Sequence, residues 1–286
     1  MKNKTLSILG LAVLTALTIN INGQQLKMPA PSPTQTLKQN FGLGEIDIEY
    51  SRPGLKGRTA YGQVVPFDQL WRTGANSCTK ITFTDNVKVE GNAVPSGTYA
   101  LFTIPGKTEW TIILNKNTNQ GGTGDYKQTE DLLRFKVKPM VMNDKVESFT
   151  MNVADVAPAT ANIELLWEKT RVTFSVTESI DSTMMKNIET ALSPADKRPY
   201  FQAATYYFEN GKDLNQALTW AGKAMEQNPK AFYVAHLKAK IQLKLKDYHG
   251  AIVTAETSIA LAKDAKNDDY VRMNEKLIEE AKKGGK

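Results

Sequence analysis

The chain has 286 residues, 41% of them hydrophobic, with a single cysteine, two histidines and a formal net charge of +6. That length suits one large or two modest domains. A lone cysteine rules out an intramolecular disulfide, and a mild positive excess spread along the chain leaves no basic footprint for nucleic acid.

The chain opens with Lys2 and Lys4, then a nearly unbroken apolar run from Leu6 to Ile19. That run is shorter than the roughly 20 apolar residues a membrane span needs, so residues 1–23 read as a signal peptide cleaved after Gly23. No cysteine stands there to make a lipobox, and no later stretch is apolar enough to span. The mature chain, two positive charges poorer, is expected to be exported, to the periplasm or beyond the cell. Residues 24–40 read as an extended lead-in, because Met28-Pro29-Ala30-Pro31-Ser32-Pro33 cannot be helical.

Period two then takes over. Ile46, Ile48 and Tyr50 alternate with Glu45, Asp47 and Glu49, and the pattern returns at Ile81/Phe83 and Val87/Val89. Glu90-Gly91-Asn92 and Pro95-Ser96-Gly97 are turn signals. Tyr99 to Ile104 and Trp110 to Leu114 flank Pro105-Gly106-Lys107 as a hairpin. Further strands centre on Leu133/Phe135/Val137, Phe149/Met151/Val153, Ile163/Leu165/Trp167 and Val172/Phe174/Val176. About nine short strands without an intervening helix predict an antiparallel β-sandwich over residues 41–178. Asn119 to Asp125 reads as a long glycine-rich loop, since no helix with Lys-Ser or Lys-Thr follows to make it a phosphate cradle.

Two connections are dense in chemistry: Tyr50-Ser51-Arg52-Pro53-Gly54-Leu55-Lys56-Gly57-Arg58, and Trp71-Arg72-Thr73-Gly74-Ala75-Asn76. Arg52, Arg58 and Arg72 could converge on an anionic ligand through bidentate contacts, with Tyr61 and Trp71 as a stacking surface for a glycan and Asn76 as a hydrogen-bonding partner. The competing reading has the arginines pinning loops through backbone carbonyls and Trp71 anchoring the core. Both readings stay open on the residues alone. The acidic row Glu45, Asp47, Glu49 could bind a cation or flank a glycosidic bond, but alternation by itself already requires polar residues on that face. Cys78 reads as a small buried hydrophobe at a strand start.

His236 and His249, the two histidines, both lie in the C-terminal part, so no Ser-His-Asp, Cys-His or His-zinc site fits within the β-region. No HExxH, Walker A or dinucleotide motif occurs. No catalytic residue, metal ligand or cofactor can therefore be named.

Past Thr177 the period becomes helical, and residues 179–286 read as a small all-α domain. Ser193-Pro194-Ala195-Asp196 is a helix-start signal. Lys212-Asp213-Leu214-Asn215-Gln216-Ala217-Leu218 recurs 34 residues on as Lys246-Asp247-Tyr248-His249-Gly250-Ala251-Ile252. Ala217, Ala221 and Ala224 match Ala251, Ala255 and Ser258. The region resembles tetratricopeptide repeats from Ala195 to Ala262, closed by a helix over Asp268 to Lys283.

The joint pattern of Ser32-Pro33, Tyr50 to Arg58, Trp71 to Asn76, Gly97-Thr98-Tyr99 and Trp167-Glu168-Lys169-Thr170 resembles an exported bacterial family, domain of unknown function 2911, across Pro29 to Val176. The resemblance implies export and a β-rich domain, often followed by helical repeats, and brings no reaction or catalytic residues. It commonly has Glu-Ala where this chain has Ser77-Cys78, which argues against a shared cysteine nucleophile. The reading that results is a non-catalytic binding protein of the cell envelope. Its sandwich is the recognition module for an anion or glycan, and its repeats engage a peptide or envelope protein. The alternative is a carbohydrate-active or other hydrolytic enzyme with its site around the arginine-rich loops.

Overall fold

Alternating segments become strands and 3.6-period segments become helices in the computed structural model, which describes residues 28–193 and 198–285. The expected signal peptide lies outside the described residues, as do Pro194, Ala195 and Asp196 of the helix-start signal. In chain order the strands are β1 (Thr34–Phe41), β2 (Gly44–Ser51), β3 (Thr79–Phe83), β4 (Val87–Val89) and β5 (Asn92–Val94). There follow β6 (Gly97–Ile104), β7 (Trp110–Asn115), β8 (Asp131–Val137), β9 (Met140–Ala157) and β10 (Thr160–Glu178). The helices are α1 (Asp181–Leu192), α2 (Tyr200–Glu209), α3 (Leu214–Gln227), α4 (Phe232–Lys244), α5 (Tyr248–Asp264) and α6 (Asp268–Gly284). Two compact units divide between Glu178 and Ser179.

The first unit pairs its strands antiparallel in two sheets, ordered β1-β2-β3-β6-β7-β8 and β5-β4-β10-β9. Strand alternation sends Ile46, Ile48 and Tyr50 inward, with Ile81, Phe83, Leu101 and Ile112, to meet Phe149, Ile163, Leu165, Phe174 and Val176 of the small sheet in one core. The Tyr50 hydroxyl crosses this core and accepts the Met151 N–H at 2.9 Å, tying the two sheets together. Glu90 (φ 47°) and Gly91 (φ 78°) are both left-handed, the signature of the two-residue turn that closes β4 on β5.

Two expectations change. The lead-in is not extended coil to residue 40: its second half is β1, paired with β2 from Thr34↔Ser51 to Phe41↔Gly44. The segments around Leu165 and Val172 are one 19-residue strand, β10, whose register slips on either side of Glu168. The irregular pairing there, with Glu168 at φ 53°, coincides with the switch of inward positions from odd (Ile163, Leu165, Trp167) to even (Val172, Phe174, Val176).

In the large sheet, β6 is buried without a break from Tyr99 to Thr103. Its outer face, carrying Ala100 and Phe102 beside Ile113 of β7, is covered by Cys78, Leu70 and Tyr126. Loops therefore lie over this sheet and are part of its core.

In the second unit, α3, α5 and α6 open on Asp213, Asp247 and Asn267, whose side chains accept N–H groups of the first turn. The six helical positions matched by the 34-residue offset are all buried. With no large side chain there, α3 packs on α2 and α4, and α5 on α4 and α6, through alanine-lined faces.

Candidate functional site

The Trp71–Asn76 segment is placed by a vacancy in the large sheet. β3 follows β6 only as far as Thr79↔Leu101. Beyond that point Thr103 exchanges backbone hydrogen bonds with Trp71 instead, at 2.7 and 2.9 Å. Trp71 then turns inward, and its indole N–H donates to the Gly74 carbonyl at 3.0 Å. The ring stacks on Trp167 (5.7 Å, 16°) and meets Phe149 edge-on at 5.0 Å. Tyr61 joins the same cluster, edge-on to Trp110 at 4.9 Å. Burial, reinforced by the nearby Glu168 carboxylate, holds the Tyr61 phenol far above its ordinary range.

After Trp71 the chain makes a tight left-handed turn, with φ of 55° at Thr73, 155° at Gly74 and 60° at Asn76. A Cβ at Gly74 would sit 2.9 Å from the Ser51 carbonyl, so only glycine fits. Thr73 is β-branched and costly in this conformation. It is fully buried, and its hydroxyl donates to Thr103 Oγ1 at 3.1 Å. Asn76 tolerates the turn and donates to the Ser32 carbonyl (3.0 Å) and Ser51 Oγ (3.1 Å), which fastens it to the other chemistry-rich connection.

The three arginines do not share a partner. Arg52 donates from Nε to the Phe149 carbonyl (3.0 Å) and from Nη2 to Thr150 Oγ1 (2.7 Å), so it ties its loop to β9. Arg58 donates to the carbonyls of Leu55 (3.0 Å) and Gly54 (3.2 Å) within its own loop. Arg72 donates through Nη1 to the carbonyls of Asn76 and Gly121, the latter at 2.7 Å. The glycine-rich loop is thereby pinned. A further hydrogen bond, from the Cys78 N–H to the Gln120 carbonyl at 3.0 Å, holds it from the other side. Cys78 itself is buried. In the acidic row, Lys38 bridges Glu45 (2.8 Å) and Asp47 (2.9 Å) across the strand pair. Among the described residues no group of three or more His, Cys, Asp or Glu side chains could hold a metal ion.

What is open lies elsewhere. In the β-unit a cleft of about 350 Å³ is lined by Tyr61, Phe67, Lys107, Trp110, Glu168 and Thr170. Glu168, where the β10–β9 register shifts, sits at φ 53°, and its carboxylate accepts the Ala60 N–H at 3.0 Å. The cleft's ammonium, that of Lys107, lies 5.8 Å from the centre of the Phe67 ring. Of the six sequence candidates only Tyr61 lines it.

In the helical unit a larger groove, about 890 Å³, runs between α4 and α6 with Phe208 of α2 at one end and Tyr248 of α5 at the other. Met273, Leu243 and Leu277 give it an apolar floor, and Gly284 admits the Tyr248 ring, which would lie 2.5 Å from a Cβ there. His236 closes the bottom. Its Nδ1 is 2.9 Å from Asn274 Oδ1, while Asn274 Nδ2 donates to Ser258 Oγ and the Tyr270 carbonyl. The Asn274 oxygen must therefore accept, and Nδ1 of His236 carries the proton. Burial lowers the imidazole pKa below its ordinary value, with Lys240 adding to the effect, so the ring is neutral at pH 7. Sequence reading passed over this groove because its residues come from four helices. The one local signal was the one-turn spacing of His236, Lys240 and Lys244. Among the described residues no helix is long and apolar enough to cross a membrane.

Residues 32–176, from just before β1 to within β10, match the model of a family described as Protein of unknown function (DUF2911). No curated protein and no solved structure matches the chain.

Proposed function

The chain belongs to the DUF2911 family, and we propose that it is an exported binding protein that docks a partner polypeptide in the groove of its helical unit. The groove carries this reading: it is open, large and apolar-floored, whereas the arginine-rich connections of the β-unit are engaged mainly by carbonyls. A tetratricopeptide-like arrangement is supported by the 34-residue offset, by the buried small residues it superposes, and by the matched Asp213 and Asp247 caps. In such stacks the leading helices line one concave face, and α2, α4 and α6 are those that supply most of the groove. Export is supported by Lys2, Lys4 and the apolar run to Ile19.

A peptide display library panned on the full chain tests the docking role. Sequences are expected to enrich, and their binding to vanish in Met273→Asp, which puts a charge on the exposed floor of the groove. Enrichment indifferent to that substitution, or none at all, removes the groove as the docking site.

The strained carboxylate supports a second reading for the β-unit. Non-glycine residues held at positive φ concentrate at functional sites, and Glu168 shares its cleft with the half-buried Phe67, an aromatic face that suits a sugar ring, backed by the buried Tyr61 and Trp110. A glycan panel in a thermal-shift assay, repeated on Glu168→Gln, checks it. Shifts that persist in the variant would place any glycan elsewhere.

A further inference from the structure

The fold gathers on one groove the positive charge that the sequence spreads. Lys240 and Lys244 are one turn apart on α4, Lys246 follows the helix, and Lys276 comes from α6, against a single lining carboxylate, Glu280. Among the described residues none of these four lysines has an acidic side chain within ion-pair distance. Lys240 instead lies 5.0 Å from the centre of the Phe208 ring, an aromatic face rather than an acid. His236 adds no charge of its own, since the buried imidazole is neutral.

Lysines of one sign around a concave apolar floor focus a positive potential into the groove. Like charges gathered this way repel their near neighbours, within the screening length of about 8 Å at physiological salt, until an anion enters. Between them Met273, 46% exposed, and Leu277 leave apolar surface that a purely ionic ligand would not cover.

Resting on the docking role proposed above, we propose that the groove takes an acidic amphipathic segment of a partner protein, with a Leu- or Met-sized side chain on the Met273–Leu277 floor and flanking Asp or Glu carboxylates on Lys240, Lys244 and Lys276. The charge pattern selects an acidic partner. The apolar floor demands more than a phosphate or a nucleic-acid backbone, and concavity fits an inserted segment better than a lipid surface.

The test uses a fluorescently labelled peptide of about twelve residues, Glu-rich with two central leucines, on the full chain. Its Gln-for-Glu isostere, a Ser-for-Leu version and phosphatidylglycerol vesicles complete the set. Anisotropy should show binding of the acidic peptide that weakens with added salt. Binding should drop about tenfold or more for the isostere, and likewise for the double variant Lys240→Glu/Lys276→Glu. Lys240→Gln/Lys276→Gln, which keeps the groove's shape, should lie between, and circular dichroism confirms that both variants fold. Equal binding of the isostere would overturn the acidic specificity while leaving the docking role standing. Vesicle binding without peptide binding would overturn the polypeptide partner. Loss of every peptide, together with an empty display screen, would bring down the docking role as well.

Discussion

Arg72→Ala separates loop-pinning from ligand-binding. The substitution deletes the Nη1 hydrogen bonds to the Asn76 and Gly121 carbonyls and withdraws the guanidinium from Gly122, where a Cβ would touch it at 3.3 Å. A hydrogen bond to a charged group contributes about 1.5–3 kcal/mol. Because Arg72 is half-exposed, water replaces part of each, so about 2 kcal/mol for the pair is expected. Against a typical total of about 5–15 kcal/mol the protein stays folded. With a urea slope of about 1–3 kcal/mol per molar, the β-unit midpoint should fall by about 1 M. Limited proteolysis is the second readout. With one pin gone, the 119–125 loop, still held by Cys78 and Gln120, should be cut several-fold faster than in the wild type. Arg72→Lys keeps the charge but loses the planar fork, so it should recover about half the stability. A stability unchanged within about 0.5 kcal/mol, with unchanged cutting, would refute loop-pinning and return Arg72 to the ligand-binding candidates.

Three further outcomes follow from the same geometry. Trp71→Ala should cost about 3–5 kcal/mol, since it empties the space between Trp167 and Phe149 and orphans the Gly74 carbonyl; a denaturation midpoint close to wild type would show that the cluster does not support the sandwich. Gly74→Ala should cost at least about 1 kcal/mol in the same assay, whereas substituting Gly121, where a Cβ meets nothing, should not. His236 predicts a pH effect on the helical unit. Burial depresses its folded pKa, so below the ordinary 6.5 the unfolded chain binds the proton more readily, and stability declines as pH falls from 7.5 towards 5. Thermal melting of His236→Gln should show a flatter decline over that range, and a slope identical to wild type would assign the effect to other groups.

Most of the fold was legible because it follows from periodicity. The inward residues of β2, β3 and β4 are those that alternation marks. β1 escaped notice because Thr34-Gln35-Thr36-Leu37-Lys38-Gln39-Asn40-Phe41 offers only Leu37 and Phe41 as apolar residues; as an edge strand it needs little burial. In β10 the odd-to-even switch was visible in the residues, yet only the pairing with β9 shows it to be a register shift within one strand rather than a break between two. The chemistry-rich connections were found, but their side-chain partners were not, because Phe149, Thr150 and Gly121 are distant in sequence. The helical groove was the hardest to see. Lys240 and Lys276 are 36 positions apart, and only the stacking of α4 on α6 makes them neighbours.

The order of the small sheet bears on how the chain is made. β10 lies between β4 and β9, so the strand that completes this sheet is the last one synthesised, and Val89 waits for Val176. A nascent chain emerging from its N-terminus can assemble β1, β2, β3, β6, β7 and β8 early, but the apolar inner face of that sheet has no complete lid until Glu178 is free. The β-unit is thus late to close during synthesis, its core completed only by its last strand.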